Sequence, residues 1–261
     1  MAGHPDYRGA GGGGCRRLLA FITALAALAA DSAPDSKAPD DPSDRTSPGA
    51  HGLVRVRTAG ELRQAVLAAR PGARILVEPG TYEGGLHFEN VHGAPGEPIV
   101  IAGADPRNPP VIQGKDVCLQ LSDPRHLELR DMILQGGRSN GLNIDDAGSF
   151  ETPALAVILR DLVVRDVGSD GNQDGIKLSG VDDFRISSCT VERWGRNGSA
   201  IDMVGCHRGF IEDCTVRDRE SHPAATGIQA KGGSAAIVIR RCRFEHAGQR
   251  AINVGGSTGL A

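Results

Sequence analysis

The chain has 261 residues, 39% of them hydrophobic and only 3% aromatic, and its 36 glycines are about twice the usual share. That balance favours a sizeable core made of short strands and tight turns over one made of packed helices. A formal net charge of −3 without any Lys/Arg-rich run excludes the electrostatic footprint of a nucleic-acid binder.

In chain order, Arg8, Arg16 and Arg17 precede an apolar run from Leu18 to Ala30, the layout of a signal peptide over residues 1–30. The run is too short to span a bilayer, so no transmembrane segment is expected and the protein is read as secreted, periplasmic or extracellular. Residues 31–52 are rich in Asp, Pro and Ser and read as a disordered linker. The folded domain is expected over 53–261. Thr58-Ala-Gly-Glu61 is a capping box that opens a helix with Leu62, Ala65, Val66 and Ala69 on one face, ended by Pro71-Gly72. Such a helix can cover the open end of a stack of strands. The strand beginning at Arg74 follows directly.

From residue 127 onward the sequence repeats. Leu127-Glu-Leu-Arg-Asp-Met-Ile-Leu134 is echoed by Val157-Ile-Leu-Arg-Asp-Leu-Val-Val164, by Phe184-Arg-Ile-Ser-Ser-Cys-Thr-Val191, and by the segments 210–216 and 237–244. On this reading Asp131, Asp161, Cys189, Cys214 and Cys242 occupy equivalent positions, roughly 25 to 30 residues apart, the range of solenoid repeats. A second motif interleaves with the first: Gly141-Leu-Asn-Ile, Gly175-Ile-Lys-Leu, Ala200-Ile-Asp-Met, Gly227-Ile-Gln-Ala and Ala251-Ile-Asn-Val. Alternation sends its aliphatic residues to one face and its polar residues to the other. The expected fold is therefore all-β, a right-handed parallel β-helix with a short N-terminal capping helix, and a monomer. The five cysteines after the leader are odd in number and form no CxxC pair, which argues against a disulfide framework or a zinc site and for packing. The chain stops at Gly259-Leu260-Ala261 directly after a strand, so C-terminal coils are expected to be missing.

Thr58-Ala-Gly-Glu-Leu-Arg-Gln-Ala-Val66, Pro71-Gly-Ala-Arg-Ile-Leu-Val-Glu-Pro-Gly-Thr-Tyr82 and Gly93-Ala-Pro-Gly-Glu-Pro-Ile-Val-Ile101 resemble the opening of secreted polysaccharide lyases of the chondroitinase B and alginate lyase type. The coils from 117 onward resemble the pectate lyase-like β-helix superfamily at large. The resemblance implies a polysaccharide partner and a lysine base assisted by an arginine on the next coil. Lys231, in Ile228-Gln-Ala-Lys-Gly-Gly-Ser, stands where that lysine is expected; Arg250, just before the Ala251-Ile-Asn-Val strand, is the arginine at hand.

Stacked coils turn the polar positions of the second motif into columns. One runs Asn143, Lys177, Asp202, Gln229, Asn253, and the next runs Asp145, Ser179, Val204, Lys231, Gly255. Such a face can hydrogen-bond a sugar chain. Eliminating across a uronate needs a neutralised carboxylate, a base for the α-proton and an acid for the leaving oxygen. Gln229 and Asn253 are placed to hold the carboxylate, and Lys231 to act as base with Arg250 lowering its proton affinity. Asp170, Asn172 and Asp174 offer oxygen ligands at alternate positions among glycines, as calcium favours, and the same pattern suits an ordinary Asp/Asn turn. Two other readings stay open: a glycoside hydrolase using Asp174 and Asp202, and a noncatalytic carbohydrate-binding or cell-envelope β-helix. His207, His222, His246 and Trp194 read as turn residues.

Overall fold

The computed structural model describes residues 52–149, 151–168, 171–220 and 226–256. The expected signal peptide, residues 31–51 of the expected linker, Asp170 and His222 lie outside the described residues.

The described chain winds through three parallel sheets, of nine, seven and seven strands, in which neighbours follow one another at one coil per step. The seven-stranded sheet that carries the second motif consists of Leu86–Glu89, Val117–Ser122, Asn140–Asp145, Asp174–Ser179, Ser199–Val204, Thr226–Lys231 and Arg250–Val254. Its register stacks Leu142, Ile176, Ile201, Ile228 and Ile252 in one column, and Ile144, Leu178, Met203, Ala230 and Val254 in a second. From Leu142 to Ile228 the first of these columns is wholly buried. Isoleucine, leucine and valine dominate because a strand packed inside a coil needs shape-filling side chains that tolerate extended backbone.

The helix spans Ala59–Ala68. The Thr58 hydroxyl accepts the Glu61 backbone N–H at 3.1 Å, and the Glu61 carboxylate accepts the Arg57 N–H at 2.7 Å, so both donors at the helix start are satisfied. Leu62 and Val66 are buried, and the helix lies on the strands Leu53–Val56, Arg74–Val77 and Leu86–Glu89. It covers the first coil as the capping box led us to expect.

The alignment of the first motif needs a one-residue correction. Arg130, Arg160, Ser187, Glu212 and Arg240 are register partners on successive coils. Asp131 and Asp161 are therefore equivalent to Ser188, Asp213 and Arg241, and all five have φ between 51° and 57°. The cysteines are equivalent to the next residues, Met132 and Leu162. Aspartate recurs in the turn because a short polar side chain tolerates the left-handed conformation, and cysteine recurs one step later because that position faces the core. Cys189 and Cys214 are buried. Burial pushes the thiols of Cys118 and Cys206 up to about 11, which leaves them protonated and inert at neutral pH.

The small residue that opens each second motif is also explained by stacking. A Cβ at Gly175 would come within 2.4 Å of Val191 Cγ1 and 2.6 Å of the Ala200 carbonyl oxygen on the next coil. Gly175→Leu is expected to lower stability by about 1–3 kcal/mol or more in urea unfolding. Gly60→Ala, in the first turn of the helix with only Thr58 Oγ1 at 3.9 Å, is expected to raise it by up to about 1 kcal/mol. Equal effects of the two changes would contradict the stacking argument.

Candidate functional site

Register places Asn143 beside Lys177, Lys177 beside Asp202, Asp202 beside Gln229 and Gln229 beside Asn253, so the expected outward column exists. His87 and Gln120 extend it toward the first coils. Lys231 stands in the adjoining column, across from Val204.

Polar columns occur elsewhere on the surface too. Glu212 accepts hydrogen bonds from Arg185, Arg240 and Arg241 on the nine-stranded sheet, with the Arg240 guanidinium foremost in holding its carboxyl below the ordinary range. What sets the surroundings of Lys177 apart is that two buried carboxylates stand there together. Asp202 is 1% exposed and Asp174 2%, although one strand presents Asp202 outward. Lys177 Nζ lies 3.4 Å from Asp174 Oδ2 and 3.3 Å from Asp202 Oδ2. Lys231 Nζ lies 3.1 Å from Asp202 Oδ1, an ionic approach outside hydrogen-bond alignment that leaves this buried oxygen without a directed donor. Asp174 Oδ1 accepts the Ser199 backbone N–H at 2.8 Å. The four side chains thus alternate in sign across neighbouring coils.

The alternation is what makes the burial tolerable. Desolvation, and then the charge of Asp202, raise the proton affinity of Asp174. Burial works against the charge of Lys177, but Asp174 and Asp202 outweigh it and hold the ammonium form above its ordinary range. Asp174 and Asp202, the pair that a hydrolase reading uses, are bridged by Lys177 Nζ.

Other expected members are placed differently. Arg250 is the first residue of its strand and pairs with Thr226, whereas Lys231 ends the Thr226–Lys231 strand. Five residues at roughly 3.3 Å each put about 16 Å between the two positions along the strand, so the expectation that Arg250 flanks Lys231 is corrected. Gln229 donates to the Gly255 carbonyl at 3.3 Å and accepts from the Ser199 hydroxyl at 3.2 Å; Asn253 also donates to Gly255, at 3.2 Å. Asn143 donates to Asp145 Oδ2 at 2.9 Å. For calcium, Asn172 is exposed while both oxygens of Asp174 are engaged by Ser199 and Lys177. Trp194 is buried and covers its coil.

Beside Lys177 opens a cavity of about 570 Å³. Asp146 and Pro153 form one wall. Gly180, Gly205 and Gly232 line it at the turn that follows the sheet, each with φ between 61° and 64°. His207 and Asp182 stand at its far side, with His207 Nδ1 2.8 Å from Asp182 Oδ1, and Arg208 Nη2 2.9 Å from Asp182 Oδ2. This pair escaped sequence reasoning, in which His207 was a turn residue without a partner. The available signal was their separation, one repeat apart, and the two are bridge partners on successive coils.

Residues 117–260 match the profile of the right handed beta helix region family, and the chain belongs to that family. Its fold is a right-handed parallel β-helix. Among solved structures, it is similar to an alginate lyase from Paenibacillus sp. str. FPU-7, at 18% identity and a TM-score of 0.63, over 78% of this chain and 73% of that one. It is also similar to the pectate lyase Pel9A, at 15% identity and a TM-score of 0.52, over 69% of this chain and 56% of that one. Likeness at these identities shows the shared fold. No curated protein sequence matches the chain.

The folded-state pKa of Lys177 lies above the ordinary 10.5. Its contribution to stability is then complete below about that pH and is lost as pH rises through the folded value. Alkaline titration is expected to show a fall in melting temperature that disappears in Lys177→Met. That variant leaves two buried carboxylates facing each other without a cation and is expected to lose about 3 kcal/mol at neutral pH, part of which Asp174→Asn restores. An unchanged melting temperature in Lys177→Met would contradict the buried-column account.

Proposed function

We propose that this protein is exported and acts on an acidic polysaccharide, cleaving uronate-containing chains by β-elimination around Lys231. The observation that carries the reading is the Lys231 amine, 15% exposed in its side chain and 3.1 Å from a carboxylate that is itself 1% exposed. An amine so placed sits between a buried carboxylate and open solvent. The sugar-chain lyases whose fold it shares, by their names an alginate lyase and a pectate lyase, support the same substrate class.

In the elimination, the uronate carboxylate must lose charge so that the C5 proton becomes acidic. The amides of Gln229 and Asn253 in the outward column stand as donors for this. Lys231 acts as the base, with Asp202 Oδ1 3.1 Å away to hold the ammonium that forms once the C5 proton is taken. The amine then takes the C5 proton, the C4–O4 bond breaks with its electron pair on oxygen, water protonates that oxygen, and a C4–C5 double bond forms.

Alginate, polygalacturonate, chondroitin sulfate and dermatan sulfate should be offered in turn, with calcium or with EDTA, while the ultraviolet absorbance of the unsaturated product is followed. An increase with one of them that is lost in folded Lys231→Ala is the expected outcome. A flat trace from folded wild-type protein, together with binding of the chain, would support the noncatalytic carbohydrate-binding reading instead.

A further inference from the structure

We propose that the cavity beside Lys177 is a sugar subsite, in which His207 Nε2 accepts a hydroxyl of the ring next to the bond acted on. The proposal rests on the polysaccharide reading above and names a recognition residue within it. Three observations carry it.

First, the imidazole is fixed. Asp182 is 8% exposed, its Oδ2 is held by Arg208 at 2.9 Å, and its Oδ1 faces His207 Nδ1 at 2.8 Å. A carboxylate partner makes Nδ1 the protonated nitrogen, so that the neutral ring presents Nε2 as an acceptor on the cavity side. Second, the floor is bare backbone. Glycines occupy three successive coils there, and a Cβ at Gly180 would meet Asp146 Oδ2 at 2.1 Å. A volume of about 570 Å³ admits a pyranose ring with its first waters.

Third, the charges facing the cavity favour hydroxyls over a second anion. The charge of Lys177 is already matched by Asp174 and Asp202, and that of Arg208 by Asp182 and Asp183. Asp146, whose Oδ1 accepts the Gly148 N–H at 2.9 Å, brings a further negative charge with no ion-pair partner among the described residues. A carboxylate or sulfate seated here would meet net repulsion, while sugar hydroxyls can donate to Asp146 and to His207. The uronate carboxylate is thus directed to the Lys231 side, and the hydroxyl edge of its neighbour to the cavity.

Oligogalacturonate, oligoalginate and a neutral mannan oligosaccharide are to be titrated into the full chain, with affinity read by calorimetry and the His207 ring signals by NMR. The expected result is that an acidic oligosaccharide binds and shifts the His207 signals. His207→Ala should then weaken binding on the order of tenfold, and His207→Gln, which keeps an acceptor, should recover part of the loss. Binding that neither moves the His207 ring nor weakens in His207→Ala overturns the subsite alone. Binding of only the neutral chain, lost in His207→Ala, supports the subsite and overturns the acidic-polysaccharide reading. A folded wild-type protein that binds none of the three overturns both.

Discussion

Parallel stacking at one coil per step is the constraint on which the rest of this structure depends. Each residue finds its equivalent about 4.8 Å away on the coils before and after it, so every side chain is chosen against its own column. Apolar columns simply repeat. A buried charged column has to alternate in sign, since like charges at that spacing repel strongly once water is excluded. Lys177 and Asp202 meet this requirement as register partners; Asp174, on the Lys177 strand, and Lys231, in the adjoining column, carry the alternation over three coils, with Asp202 shared by two ammonium groups.

Burial gives that run its chemical interest. On the nine-stranded sheet, Arg185, Arg240 and Arg241 gather around Glu212 from half-exposed positions, an arrangement that keeps the surface soluble. In the Lys177 column two carboxylates are almost fully enclosed, and one of their oxygens has no directed donor. Proton affinities are shifted where desolvation and like charge combine, and such places recur at reaction centres. The cavity next to them, with its glycine floor and a histidine held by Asp182, supplies the space that a bound ring needs.

Much of this was legible in the sequence because the repeat sets both period and face. Gly175-Ile-Lys-Leu and Ala200-Ile-Asp-Met named their inward and outward residues by alternation alone, and Thr58 with Glu61 announced the capping helix. Errors arose where the backbone leaves the strand. Asp131 and Asp161 were matched to the cysteines because a left-handed turn residue and the core residue after it are adjacent in sequence, though they point in different directions. Arg250 was matched to Lys231 by coil, without regard to position along the strand. Asp182 and His207 were invisible because nothing in either local sequence says that two residues one repeat apart will pair side by side at the rim of a cavity.

Mass spectrometry of the fragments from an acidic oligosaccharide tests the central claim most directly. Elimination around Lys231 gives one saturated fragment and one unsaturated fragment that is lighter by a water than its hydrolytic counterpart, and this is the expected pair. Two saturated fragments would mean that water was added across the bond, and would contradict the assignment of the buried column to β-elimination.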